Sequence, residues 1–204
     1  EICVCLVGSE MCIRDSLCCL PNFIVMAPSN GEELKNMIKL AQSINNKPSA
    51  IRYPRDFAYE YNNNNNFQKI LIGKGKILKK GKKIAFLNLG TRLKKVLEIN
   101  EMIKNHHKLN CTVVDMRFAK PIDTKLIQNL NKTHDIFITI EENAIGGFSS
   151  QVNDFLINKL NKTPKILNFF MKDEFIDQSD IDDQYNKSGI SKELIFDKVS
   201  MLLK

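Results

Sequence analysis

Glu141 and Glu142 stand side by side where the apolar run Ile136 to Ile140 stops. Two adjacent carboxylates invite a general acid–base reading. Neighbouring residues at a strand end, however, send their side chains to opposite faces. The pair is therefore not expected to act on one substrate. Five of the six cysteines, Cys3, Cys5, Cys12, Cys18 and Cys19, crowd the first 19 residues. Zinc needs a repeated C-x-x-C or a Cys/His set. That spacing is lacking and no histidine is near, so no metal ligand is assigned. Cys111 opens an apolar strand pattern and reads as a buried thiol. His106 and His107 close a Lys-rich helix and read as solvated, while His134 reads as a loop residue. None has a partner suited to nucleophilic catalysis. Asp115 and Arg117 read as a structural pair at a strand end, and Asp123 as a helix N-cap.

These residues need a scaffold, and the periodicities supply one. Phe23 to Ala27 is a short apolar strand stopped by Pro28. Ser29 or Asn30 can cap a helix with Glu32 and Glu33 in its first turn and Leu34, Met37, Ile38, Ala41 and Ile44 at helical spacing. Ser49 to Tyr53 is a second strand, giving a strand–helix–strand unit that packs in parallel. Further on, Lys76 to Leu78 and Ile84 to Leu89 are expected to pair as a hairpin through Lys79–Lys83. Strands at Cys111 to Met116, Ile136 to Ile140 and Ile166 to Phe169 alternate with apolar helical patterns, and residues 191–203 form a closing helix. Gly146 and Gly147 give the tight turn before one of these helices. Alternation of this kind predicts a doubly wound α/β sheet.

Composition narrows the partners. The 204 residues suit one domain, or one plus part of another. The net charge of +7 comes mostly from Lys, densest at Lys74, Lys76, Lys79, Lys80, Lys82 and Lys83. No aromatic residue interleaves them, so the cluster reads as a solvated turn and no nucleic-acid partner is expected. No apolar run approaches the ~20 residues of a membrane helix, so no membrane partner is expected and a cytoplasmic location is the default. Residues 1–16 are Cys-rich, Lys-free and begin without Met. They read as a non-native or misassembled segment. Residues 56–69, with the five-Asn run Asn62 to Asn66, read as a linker.

Local motifs go further. Pro21-Asn22-Phe23-Ile24-Val25-Met26-Ala27-Pro28-Ser29, followed by Pro48-Ser49-Ala50-Ile51-Arg52-Tyr53-Pro54-Arg55, resembles the end of the pyrimidine-binding domain of 1-deoxy-D-xylulose-5-phosphate synthases. Then come Ile72-Gly73-Lys74-Gly75, Ala85 to Thr91, Val114-Asp115-Met116-Arg117-Phe118-Ala119-Lys120-Pro121-Ile122-Asp123, and Glu141-Glu142-Asn143-Ala144 with Gly146-Gly147. In that order they resemble the same family's transketolase-like C-terminal domain. The resemblance implies an α/β chain with the end of a pyrimidine-binding domain at 17–55 and a transketolase C-terminal-like doubly wound domain at 70–204.

It also implies a thiamine-diphosphate and Mg2+ enzyme, a homodimer, that joins pyruvate to glyceraldehyde 3-phosphate with loss of carbon dioxide, feeding isoprenoid, thiamine and pyridoxal biosynthesis. The cytoplasm would be its place, or an organelle in a eukaryote. Arg55 matches the family's phosphate-binding Arg, and a guanidinium suits that task. Asp56 departs from the Gly usual there. Arg52 and Tyr53 read as strand packing or a domain contact. The family's catalytic Glu, its Gly-Asp-Gly…Asn motif for magnesium and diphosphate, and its His motif are not in this sequence. No catalytic, cofactor or metal residue is therefore assigned, and the fragment alone is expected to be inactive. Two other readings stand beside this one: the β subunit of a 2-oxo-acid dehydrogenase-type enzyme, or a non-catalytic dimerisation module.

Overall fold

The computed structural model describes residues 11–53, 69–174, 176 and 179–203, with the side chains of 11–13 and 181 left out. The fold is organised around two sheets. The smaller contains β1 (Ile24–Met26), β2 (Ser49–Ile51) and β6 (Phe118–Lys120), in the order β2-β1-β6. The helix α2 (Gly31–Gln42) connects the parallel pair β1 and β2. Asn30 caps it by accepting from Glu33 N at 2.9 Å, which satisfies an otherwise orphaned helical donor. Glu32 and Glu33 suit the positive end of the helix dipole. Met37 turns inward to meet Ile24, Met26, Ile70 and Phe118 in a small core of its own.

The larger sheet has the order β3-β5-β4-β7-β8, with β3 (Lys76–Lys79), β4 (Lys83–Leu89), β5 (Thr112–Asp115), β7 (His134–Glu141) and β8 (Lys165–Phe169). All but β3 run parallel. Alternation along β4 divides its side chains between the two faces. Ile84 and Phe86 join Val96, Ile99 and Ile103 of α3 (Leu93–His107) and Ile195 and Val199 of α7 (Lys192–Leu203). Ala85, Leu87 and Leu89 join Ile127 and Leu130 of α4 (Thr124–Asn131) and Val152 and Leu156 of α5 (Phe148–Lys159). Helices thus cover both faces, as a parallel sheet requires. The doubly wound α/β reading is the observed architecture, and Asp123 caps α4 by accepting from Leu126 N at 3.1 Å.

Two expectations are corrected. The Lys76–Leu78 strand does not form a hairpin with β4; it lies antiparallel on β5. Both edges of the apolar strand β4 are taken by β5 and β7, so β3 finds the free outer edge of β5. His134 is not a loop residue. It is buried at the start of β7, its Nε2 2.8 Å from Thr112 Oγ1 and its Nδ1 3.0 Å from Leu130 O. The solvated reading holds for exposed His106, whereas His107 is half-buried and lies 3.0 Å from Ser200 Oγ. Cys111 is fully buried, and burial pushes its thiol up to about 12.

Three elements have no counterpart in the periodicities: α1 (Met11–Cys19), β6 and α6 (Ile181–Ser188). Of these β6 matters most. After β5 the chain passes Arg117 with φ +61, a left-handed residue that redirects the backbone. Arg117 N donates to Asp115 Oδ1 at 3.1 Å. The chain then runs antiparallel beside β1 as β6. A strand from the second part of the sequence therefore completes the sheet of the first. The linker at 56–68 and residues 1–10 lie outside the described residues.

Candidate functional site

The C-terminal ends of β1, β2, β4 and β7 converge where the two sheets meet, and this is the side on which open parallel sheets bind ligands. Charged side chains gather there because each element ends in a polar residue. Arg52 follows β2, Thr91 and Arg92 follow β4, Asp115 ends β5, and Glu141 and Glu142 close β7. Arg55, the substrate residue that the motifs indicate, lies outside the described residues, as does Asp56.

Glu142 lies between the sheets. Its Oε2 accepts from Arg52 Nη1 at 2.7 Å, and its Oε1 from the hydroxyls of Tyr185 at 2.8 Å and Thr91 at 2.5 Å. Burial acts to raise its carboxyl, yet the Arg52 charge and the hydroxyl hydrogen bonds outweigh it and hold the group below the usual Glu value. Tyr185 moves the other way, raised by burial and by the neighbouring Glu142 charge. Arg92 stacks over the Tyr185 ring at 3.8 Å. Arg52 is thus a domain contact, as its motif suggests.

Glu141 faces elsewhere. Its carboxylate accepts from Phe148 N at 3.0 Å and Ser149 N at 2.7 Å at the start of α5, and it pairs with the buried Arg14 of α1. Asp15 beside it accepts from the Asn143 amide, and burial, followed by the opposing effect of Arg14, leaves its carboxyl at about 6. The two adjacent glutamates share no partner and do not form an acid–base pair.

The third centre is Asp115. Ser29 Oγ donates to its Oδ2 at 2.6 Å. The Arg117 guanidinium turns away to pair with Glu33 of α2 at 2.5 Å. The Asp115–Arg117 link is therefore made through the backbone, and the ion pair is with a residue not anticipated. Complete burial pushes Asp115 up to about 7; the Ser29 hydrogen bond opposes this, Glu33 adds to it and Arg117 opposes it.

Thr91, Arg92, Tyr185 and Glu33 escaped sequence reasoning. Glu33 carried a signal, but one that a helix dipole already explained. Tyr185 carried none, because its role depends on where α6 returns to the sheet.

Chemically, every buried carboxylate here is already engaged by donors of the chain. Among the described residues, no group of three His, Cys, Asp or Glu side chains could hold a metal ion. The described residues do not fit a magnesium–diphosphate group.

Comparison with known proteins places this architecture. Residues 73–195 match the model of the transketolase C-terminal domain. The chain belongs to the transketolase C-terminal domain family. Within it, the chain is 40% identical over 183 residues to the 1-deoxy-D-xylulose-5-phosphate synthase of Psychromonas ingrahamii, covering 87% of this chain and 28% of that protein. It is 37% identical over 179 residues to the chloroplastic 1-deoxy-D-xylulose-5-phosphate synthase 1 of Cannabis sativa, covering 86% of this chain and 25% of that one. The chain thus spans about a quarter of the length of these relatives and corresponds to a C-terminal portion of that enzyme family. In structure it is similar to a split-gene transketolase described as an inactive β4 tetramer, with a TM-score of 0.83, 26% identity, and coverage of 95% of this chain and 61% of that one. Transketolase from Campylobacter jejuni shares the fold, with a TM-score of 0.65 and 17% identity over 91% of this chain and 27% of that one.

Proposed function

We propose that this chain is the C-terminal part of a 1-deoxy-D-xylulose-5-phosphate synthase, a transferase that condenses pyruvate with glyceraldehyde 3-phosphate and releases carbon dioxide. The observation that carries this reading is the 37–40% identity to synthases of that name across both parts of the chain. The product would serve isoprenoid, thiamine and pyridoxal biosynthesis. When bound to the complete enzyme, thiamine diphosphate with Mg2+ supplies the carbanion chemistry. The described residues supply a scaffold and a domain junction instead.

Arg55 is the proposed phosphate-binding residue. Two such subunits would make the working dimer, in the cytoplasm or, in a eukaryote, in an organelle. The similar split-gene transketolase forms an inactive β4 tetramer, which supports reading this chain, too, as inactive alone. No helix among the described residues is long and apolar enough to cross a membrane.

Residues 1–16 are proposed to be foreign to the enzyme, in keeping with their composition. Arg14 and Asp15 nevertheless contact Glu141 and Asn143. One experiment addresses both proposals. Genomic DNA upstream of the Leu17 codon should carry a continuous frame with the missing glutamate and Gly-Asp-Gly…Asn motif. The full product should condense the two substrates, while the 204-residue chain should neither do so nor bind thiamine diphosphate in a calorimetric titration. Stoichiometric binding by the chain alone, or a frame without those motifs, would overturn the reading.

A further inference from the structure

Asp115 is buried at the seam between the two sheets. Ser29 Oγ, just before α2, donates to its Oδ2 at 2.6 Å, and Arg117 N donates to its Oδ1 at 3.1 Å. Both donors are neutral. The Arg117 guanidinium is taken by Glu33 of α2, itself a buried carboxylate. Lys76 of β3 and Asn88 of β4 flank Asp115 across the ladders. Asn88 is fully buried, and its Oδ1 has no donor among the described residues. An ionised Asp115 would therefore be a buried charge among neutral donors, beside the Glu33 carboxylate, which is costly. The neutral acid removes that charge and brings one more donor to the cluster. Two residues on, Arg117 O accepts from Ala27 N at 2.9 Å, and β6 pairs with β1. Asp115 thus lies where the two parts of the sequence would separate.

We propose that the junction of the two sheets is a proton-coupled latch: it closes with Asp115 protonated, and opening it exposes the carboxyl and releases that proton. Closure is firmest in acid. As pH rises above about 4, the open form loses a proton that the closed form keeps, so opening becomes easier. The gain stops near pH 7, where the closed form loses the proton too. Glu142 and Arg52 also cross the junction, but Glu142 is lowered and titrates below this window. Asp15, at about 6, titrates within it, but its contact is with Asn143.

Hydrogen exchange of the full-length gene product, read by mass spectrometry, tests the latch. The reporters are the Ala27 amide and the β1–β6 ladder, and the control is the β4–β7 ladder. Corrected for intrinsic exchange, reporter protection should fall about tenfold per pH unit between about pH 5 and 7 and level off above, as release of one proton requires. The control should fall less. Asp115→Asn should abolish the pH dependence of the reporters. Ser29→Ala carries the test if that variant fails to fold. The Ser29 hydroxyl favours the ionised form, so its loss should move the levelling point to higher pH, whereas a purely structural role would loosen the junction equally at every pH. Reporter protection that is flat across the window, a fall that survives Asp115→Asn, an equal fall in both ladders, or an unmoved levelling point in Ser29→Ala would each overturn the proposal.

Discussion

Asp115 sits where its neutral form is favoured. Burial raises its carboxyl from 3.8 to about 7, against the Ser29 hydrogen bond, and the Glu33 charge adds to the shift. The folded state therefore holds this proton more tightly than the unfolded chain does. Its stabilisation is fully present below about pH 4 and is lost as pH rises through about 7, at up to ~1.4 kcal/mol per pH unit. Glu142 has the opposite sign: its contribution is present above the ordinary Glu range and is lost as pH falls through its lowered value. Asp115→Asn should flatten the fall in stability between about pH 4 and 7. Denaturant unfolding across that window measures it; an unchanged slope would assign the pH dependence to other groups. The Asp115 motif was legible in the sequence, but its partner was not. Arg117 reads as its natural counter-ion, yet the left-handed backbone at Arg117 carries the guanidinium to Glu33.

At the scale of elements, the turn before β4 shows how close approach selects a residue. Gly81 N donates to Thr112 Oγ1 at 3.0 Å, and Lys82 N donates to Asn110 O at 2.9 Å. A Cβ on Gly81 would lie inside contact distance of Asn110 O and of the Cys111 backbone. Gly81→Ala must therefore displace the start of β4 from β5. It should cost about 1–3 kcal/mol, the range for overpacking, and thermal unfolding would register it. A loss below ~0.5 kcal/mol would mean that the turn yields freely, as surface sites do. Strands β1, β4, β5, β7 and β8 and helices α2, α3, α4, α5 and α7 were legible because each has a strong apolar period. The hairpin reading of β3 and β4 failed because nearness in sequence suggests pairing, while competition for ladder edges decides it. Strand β6 escaped because Phe118 to Lys120 lacks the apolar run that marks β1, and its pairing with β1 is made far along the chain.

Across the whole molecule, the two parts of the sequence are tied by three kinds of contact. Strand β6 pairs with β1, Arg52 and Arg117 make part-buried and buried ion pairs across the junction, and Val25 and Ala27 enter the core of the larger sheet. Removing one partner of a buried pair costs roughly 3–5 kcal/mol, so the junction is not a loose contact. A protease site placed within residues 62–66 should yield two pieces that stay together on size exclusion and separate only in denaturant. Separation under native conditions would show that the covalent link, not the junction, holds the parts together.

The sequence by itself determined the alternation of strands and helices, a helix cap at Ser29 or Asn30, the cap at Asp123, and the family. All of these are local patterns or ordered motifs, set by side-chain period and by hydrogen-bond chemistry within a few residues. Tertiary structure alone decided which edge β3 takes, the transfer of β6 to the other sheet, the pairing of Arg117 with Glu33, and the convergence of Arg52, Thr91 and Tyr185 on Glu142. Those partners lie 43 to 90 residues apart. No local spacing encodes such meetings, because they depend on which strand edges remain free and on where the chain can return to cover them.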